Sequence, residues 1–514
     1  MRRLIAVFLL FSLLLCAGCR KEDTPYIPTG DGLAAEEDPS QDFTEPTEAA
    51  PEQDLVLVYY PGITMNPFLC TDFTNRALFS LLYQGLFTVD NNYEVSPMLC
   101  SRYTVSESMR YYTFYIEDAT FSDGTPLTIQ DVYASLHYAK GCRFYKGRFL
   151  HVLDIVLTED GGIKFQLDAP YENFPILLDI PIVKATDLEA TWPIGSGPYY
   201  LENTTSGTRL RKNTNWWCDP EIAVNATSIP LVEATDVNQI RDSFEFGDVG
   251  LVCANPGAES YADYRCDYEL WDCENGIFLY LACNTQYGIF SKPNVRAALT
   301  YAIDRDALVS KYYREFAHSA TLAASPLSPY YNKKLAENYQ YNPERFVKAI
   351  SESYLTGSTI KILVNNGDTR RLRIAREISK MLEECGLVVE MIEANGNDYY
   401  YILSLMEYDL YVGQTKLSPN MDLSAFFMPN GSLRHGGMTD AAIYSMCLEA
   451  LANDGNYINL HRMIADDGRL CPILFQTYSI HATRGLLTGL TPSRDNVFYY
   501  TLDKNMKDIL FYPE

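Results

Sequence analysis

Phe121-Ser122-Asp123-Gly124-Thr125-Pro126-Leu127-Thr128-Ile129-Gln130-Asp131-Val132-Tyr133-Ala134-Ser135-Leu136 is the stretch from which the rest of this chain is read. Asp123-Gly124 predicts a tight turn, because Gly accepts positive φ and Asp bonds its own backbone. Thr128 with Asp131 three residues later predicts a helix N-terminus, a variant of the capping box. Val132 and Leu136 then open an apolar helical stripe.

The same punctuation runs through the C-terminal half. Ile360 to Val364 is a buried-type strand, and Leu372, Ala375, Ile378 and Leu382 mark a helix that ends at Cys385-Gly386. A strand over 387–392, a helix over 398–406 and a strand over 408–412 complete a β-α-β-α-β unit. That order favours a parallel sheet with helices on its faces. Ligands of such sheets sit beyond the C-terminal strand ends, here Asn365-Asn366-Gly367 and Gly413 to Leu417. Further upstream, Val295, Ala298, Leu299, Ala302 and Ile303 form one helical face, with Pro293 in the first turn and Ser291 as the expected cap.

Several strings carry a resemblance beyond these local readings. They are Phe121 to Val132, Leu81-Leu82-Tyr83-Gln84-Gly85-Leu86, Pro97-Met98-Leu99, Tyr112-Thr113-Phe114, Gly195-Ser196-Gly197-Pro198-Tyr199, Tyr280 to Asn284, and Asn294 to Asp306. In order and spacing they resemble the extracellular solute-binding proteins of family 5, the peptide- and nickel-type receptors of ABC importers. The resemblance implies an α/β, two-lobed periplasmic-binding-protein-like clamshell of type II, with the extra domain of the peptide-binding class. It implies a discontinuous domain I (54–65, 192–283 and 476–514), domain II over 66–191 and domain III over 284–475. The expected protein is a monomer that captures a small or peptide-like solute and delivers it to permease subunits. A sensory receptor on the same fold is the alternative, and an extracellular hydrolase a more distant one.

The N-terminus predicts where the protein goes. Arg2 and Arg3 precede an apolar run over 4–15, too short to span a bilayer, and Cys16-Ala17-Gly18-Cys19 follows. This reads as a lipoprotein signal with Cys19 as the lipidated residue, which places the protein outside the cytoplasm on a membrane anchor. Residues 20–53, rich in Pro, Thr and acids, read as a disordered tether. The net charge of −25 over 514 residues argues against nucleic acid partners. Setting aside Cys16 and Cys19 leaves eleven of the 13 cysteines, an odd number without C-x-x-C spacing. Cys253, Cys266, Cys273 and Cys283 lie close enough for a disulfide; small buried thiols are the equal alternative.

No catalytic or cofactor motif occurs, so no catalytic residue, cofactor or metal is expected. The six histidines are scattered; His435, in a Gly-rich stretch, is the one that could reach a cleft. Peptide-binding relatives carry W-x-x-D after the last strand, with the Trp on the ligand and the Asp on its amino terminus. By that spacing Gln414 takes the Trp position, Leu417 takes the Asp position, and Lys416 stands beside it. Gln84 stands where many relatives have Glu, and Asp422 remains as a carboxylate. The candidate ligand-binding residues are therefore Gln84, Asn365, Asn366, Gln414, Lys416, Leu417 and Asp422. Because an ammonium buried without a counter-ion is costly, the expected ligand is N-blocked, neutral or acidic at that end; the alternative is that another carboxylate, such as Asp422, pairs with the amine.

Overall fold

The structure is a computed structural model that describes residues 55–512, apart from residue 257 and residues 259–262. The signal segment, Cys19 and the tether lie outside the described residues.

The turn at 121–125 forms as its residues dictate. Gly124 has φ +82° and Asp123 Oδ1 accepts from the Thr125 amide at 3.0 Å. The helix spans Ile129–Gly141. Asp131 Oδ2 accepts from the Thr128 amide at 2.9 Å and hydroxyl at 2.6 Å, while Oδ1 accepts from the Ala185 amide at 2.9 Å. One buried carboxylate thus starts the helix and ties it to a second chain segment. The Ser122 amide donates to Gly195 O at 2.9 Å, and the Gly197 amide donates to Leu82 O at 3.0 Å. A Cβ on Gly195 would stand 2.1 Å from Leu82 O, so only glycine allows this approach. Three of the strings that carry the family resemblance therefore pack on one another.

Five strands, in the order 510–511, 100–105, 111–116, 163–167 and 152–157, form the sheet beside the Ile129–Gly141 helix. A four-stranded sheet joins Leu57–Tyr59, in parallel, to Ser228–Glu233, followed by Gly207–Lys212 and Tyr199–Thr204. The largest sheet has seven strands around an antiparallel pair, Tyr268–Cys283 and Leu470–Thr483. One end of that pair carries Leu251–Ala254; the other carries Ala317–Ser319 and Leu410–Lys416. The register breaks between Glu274 and Phe278, where Gly276 sits at φ +66°. Alternation along this strand sends Phe278, Tyr280 and Ala282 into one core and Leu279, Leu281 and Cys283 into another.

The β-α-β-α-β unit is present, with Thr359–Asn365, Thr369–Glu384, Val388–Ala394, Gly396–Leu405 and Leu410–Lys416, and its three strands are parallel. The last strand runs longer than sequence reading expects. It pairs with 277–283 through Lys416, which puts Gln414 and Lys416 on a strand rather than in a loop. The apolar face beginning at Val295 is buried as expected, but its helix, Pro293–Ala298, gives way to a 3-10 turn over 299–302. Ser291 does not cap it: its hydroxyl donates back to Gly288 O at 2.7 Å, and Lys292 holds the cap position. All eleven cysteines among the described residues are free thiols, seven of them buried. No helix among the described residues is long and apolar enough to cross a membrane.

Candidate functional site

A cavity opens where five separated stretches meet, and Tyr83-Gln84-Gly85, from one of the resemblance strings, form part of its wall. Its lining comes from residues 76–89 and Met98, from 144–148, from 179–181, from Lys416, and from 494–500. It holds about 850 Å³ of empty space, part of it open to solvent. Arg76, Arg148, Lys416 and Arg494 line it against only two carboxylates, Asp179 and Asp495.

Each cation is held by structure around it. Arg76, at the end of the short helix Phe73–Arg76, donates to Pro67 O at 3.1 Å, Cys70 O at 3.2 Å and Tyr145 Oη at 3.2 Å, with its guanidinium 3.8 Å from the centre of the Phe144 ring. Arg148 pairs with Asp179 and Lys416 with Asp495. Arg494 donates to Leu417 O at 2.5 Å. A Cβ on Gly276 would stand 1.9 Å from an Arg494 nitrogen, so the bulge glycine and the arginine share one space.

The charges strain one another. Burial pushes Lys416 down to about 8, against the pull of Asp495, and Arg494 and Arg76 push the same way as burial. Burial likewise brings Arg148 down to about 10. Burial opposes ionisation of Asp495, but Lys416, Arg494 and Arg76 hold it below the ordinary carboxylate range. Asp495 also sits at φ +57°, an uncommon conformation for a residue with a side chain. Ser80 Oγ, Asn496 Oδ1 and Arg494 Nε are buried without a hydrogen-bond partner in the protein. Each is a polar group that folding alone leaves unsatisfied, at about 1–3 kcal/mol apiece.

Of the residues singled out from sequence, Gln84 and Lys416 line this cavity. The Gln84 amide is engaged from behind: Trp217 Nε1 donates to its Oε1 at 2.7 Å. Leu417 is buried and takes part through its carbonyl, the acceptor for Arg494. Gln414 Oε1 accepts from Gln476 Nε2 at 3.2 Å, away from the cavity. Asn365 and Asn366 sit at the strand end, where Asn365 Oδ1 accepts from the Gly367 amide and the Asn366 amide donates to Ala394 O, each at 2.9 Å. Asp422 is elsewhere, bonded to His151 Nε2 at 3.2 Å and to the Ser424 amide at 2.9 Å. His435 packs edge-on to Tyr411 and lies outside the cavity lining. Sequence reading missed Arg76, Arg148, Arg494 and Asp495, which share no motif or spacing. A second cavity is lined by Asp72, Phe73, Arg241 and Tyr478, with the Phe73 and Tyr478 rings stacked 3.7 Å apart.

Comparison with known proteins bears on the whole body. The sequence profile described as "Bacterial extracellular solute-binding proteins, family 5 Middle" matches residues 94–437. The glutathione-binding protein GsiB of Salmonella typhi is 25% identical over 344 residues, 63% of this chain and 66% of that protein. GsiB of Escherichia coli (strain K12) is 25% identical over 348 residues, 64% of this chain and 67% of the relative. The match thus spans just under two thirds of the Salmonella relative's length. Among solved structures, MppA, a periplasmic murein tripeptide binding protein in its unliganded open form, superposes with TM-score 0.71 at 16% identity, covering 88% of this chain and 98% of that one. A putative peptide binding protein, AppA from Clostridium difficile, gives 0.70 at 17%, over 86% and 98%. NikZ from Campylobacter jejuni, solved with Ni(L-His), gives 0.62 at 16%, over 87% and 97%. At such identities the likeness establishes the fold: an α/β, two-lobed binding-protein architecture.

Proposed function

This chain belongs to the family 5 bacterial extracellular solute-binding proteins, and on that premise we propose that it is the substrate-binding receptor of an ABC importer for a small, acid-bearing solute. The observation that carries the reading is the cavity, where four cations face two carboxylates and buried polar atoms, among them Ser80 Oγ, Asn496 Oδ1 and Arg494 Nε, lack partners in the protein. A solute with one or two acidic groups supplies both the missing charge and the missing hydrogen bonds. Nothing at the Leu417 position pairs with an ammonium, so a free peptide amino terminus is not the group recognised there. Lys416, Arg494 and Arg148 are the proposed anion contacts, Gln84 and Asn496 the neutral ones. Gln414, Asn365 and Asn366 are neighbours of the cleft rather than contacts.

In this reading the lobes are domains I and II on one side and domain III, residues 284–475, on the other. The bulge around Gly276 in the long strand pair is the hinge. Cys19 carries the lipid anchor, residues 20–53 let the body stand off the membrane, and the receptor acts as a monomer that docks on permease subunits. Binding and closure are the whole mechanism.

Native mass spectrometry of the purified protein, followed by calorimetry, tests this. The panel is a dipeptide, its N-acetylated form, and glutathione. The expected order places the N-acetylated peptide and glutathione above the free dipeptide. Tight binding of the free dipeptide that disappears on acetylation would sink the reading. Cys19→Ser is expected to release the protein from the membrane fraction.

A further inference from the structure

The two lobes also meet along a seam that continues from the cavity wall at Tyr145 and Arg148 and has its own buried charges. Residues 145–173 face residues 418–457 there. The Glu172 amide donates to Leu451 O at 2.8 Å, and the Asp454 amide donates to Glu172 Oε2 at 3.1 Å. At the centre of the seam lies His151. Its Nδ1 is 2.9 Å from Asp168 Oδ1, and its Nε2 is 3.2 Å from Asp422 Oδ2. The side chains of His151 and Asp422 are 6% and 8% exposed. A ring with a carboxylate on each nitrogen donates from both, and only the imidazolium has two N–H groups.

We propose that Asp168, His151 and Asp422 form a clasp that holds the two lobes together while the imidazole carries its proton and releases them when it is lost. The inference rests on the reading above that the lobes part to admit solute. Asp168 and His151 belong to the five-stranded-sheet region, and Asp422 follows the strand Leu410–Lys416, so lobe opening must separate them.

The surroundings support the charged form. The other titratable groups facing the clasp are Tyr171, Tyr444, Cys447 and Tyr457, and burial pushes each of them up, so they stay neutral. Burial works against the His151 charge, but Asp422 and Asp168 outweigh it and raise the ring to about 10. Burial works against the Asp422 carboxylate too, and His151 holds it below its ordinary range. With the lobes apart the ring returns towards about 6.5, the ordinary histidine value. The sign follows from linkage. The closed state has the higher pKa, so the clasp is at full strength below about 6.5 and weakens as pH rises towards about 10. Asp454, raised by burial and by Glu172 to about 6, titrates across the same seam, but below that window.

The test needs no solute. Dyes attached through azide-bearing residues at the exposed positions 140 and 390 report the distance between lobes by single-molecule energy transfer, in wild type and in His151→Gln. At pH 7.5 the wild type is expected to be the more closed. Its closed-to-open ratio is expected to fall about tenfold per pH unit between about 7 and 10, whereas His151→Gln shows no slope there. Equal distance distributions for the two proteins at pH 7.5 overturn the clasp. If His151→Gln does not fold, Asp422→Asn serves: it must shift the lobes towards open and bring the His151 ring nitrogens to titrate near neutrality by 15N NMR. Solute binding by calorimetry alongside unchanged distances would overturn the clasp and leave the receptor reading standing.

Discussion

Two buried ionic clusters sit in this molecule, and they are built on opposite principles. In the seam, one cation stands between two carboxylates, and both ring nitrogens of His151 are engaged. In the cavity, four cations crowd two carboxylates, Lys416 is driven down to about 8, and Ser80, Asn496 and Arg494 keep unpartnered polar atoms. The charged groups around His151 are all paired as folded. Those of the cavity are not balanced, and an unbalanced buried cluster points to a missing partner. The contrast separates a structural contact from a binding site without reference to any relative.

The largest way to break the contrast is to deprive the cavity of its shape. Gly276→Ala places a side chain at φ +66° and 1.9 Å from the Arg494 guanidinium. Both effects act together, and the expected loss is about 3 kcal/mol or more in a urea titration. An unchanged midpoint would show that Arg494 moves aside freely, and with it that the cavity is not pre-formed.

The next test splits charge from fold. Asp495→Asn leaves Lys416, Arg494 and Arg76 without their shared counter-ion and is expected to cost about 2 kcal/mol of stability, less than for a fully buried pair because both partners keep some exposure. The same change removes a carboxylate that competes with the solute, so affinity for an acidic solute is expected to rise. Lys416→Met should do the reverse: about a hundredfold weaker binding, or about 2.7 kcal/mol, with little change in stability. Calorimetry and thermal melts on both variants read the two signs. Parallel changes in stability and affinity would remove the distinction drawn between the clusters.

How much of this was legible in the chain differs between the same two regions. The scaffold was legible because packing repeats local rules. Thr128 and Asp131 cap where their spacing says, the apolar face from Val295 is buried, and Gly195 fits only against Leu82 O. The cavity was barely legible. Arg76, Arg148 and Arg494 come from distant parts of the chain, and no periodicity links them. Lys416 was visible only as a departure from a family pattern. Leu417 contributes a carbonyl, and a backbone contribution leaves no trace in side-chain identity. His151 looked like any lone histidine, since its meaning depends on Asp422 folding back over it. Asp422, expected at the ligand, is committed to that ring instead.

The smallest effect comes from the seam itself, and it refines the claim that the charges of the seam are balanced. Glu172 and Asp454 meet there as like charges, and burial, with Glu172 beside it, raises Asp454 to about 6. A carboxylate with a raised pKa destabilises the fold most above that value, where it must ionise, and the penalty fades as pH falls from about 6 to the ordinary carboxylate value. Asp454→Asn is therefore expected to stabilise the protein by up to about 1 kcal/mol at pH 8, and by roughly half as much at pH 5. Its backbone amide still donates to Glu172, so the local turn survives the change. Melts at the two pH values decide it. A gain that is the same at both would mean that repulsion is not its source, and the seam would then be as balanced around Asp454 as it is around His151.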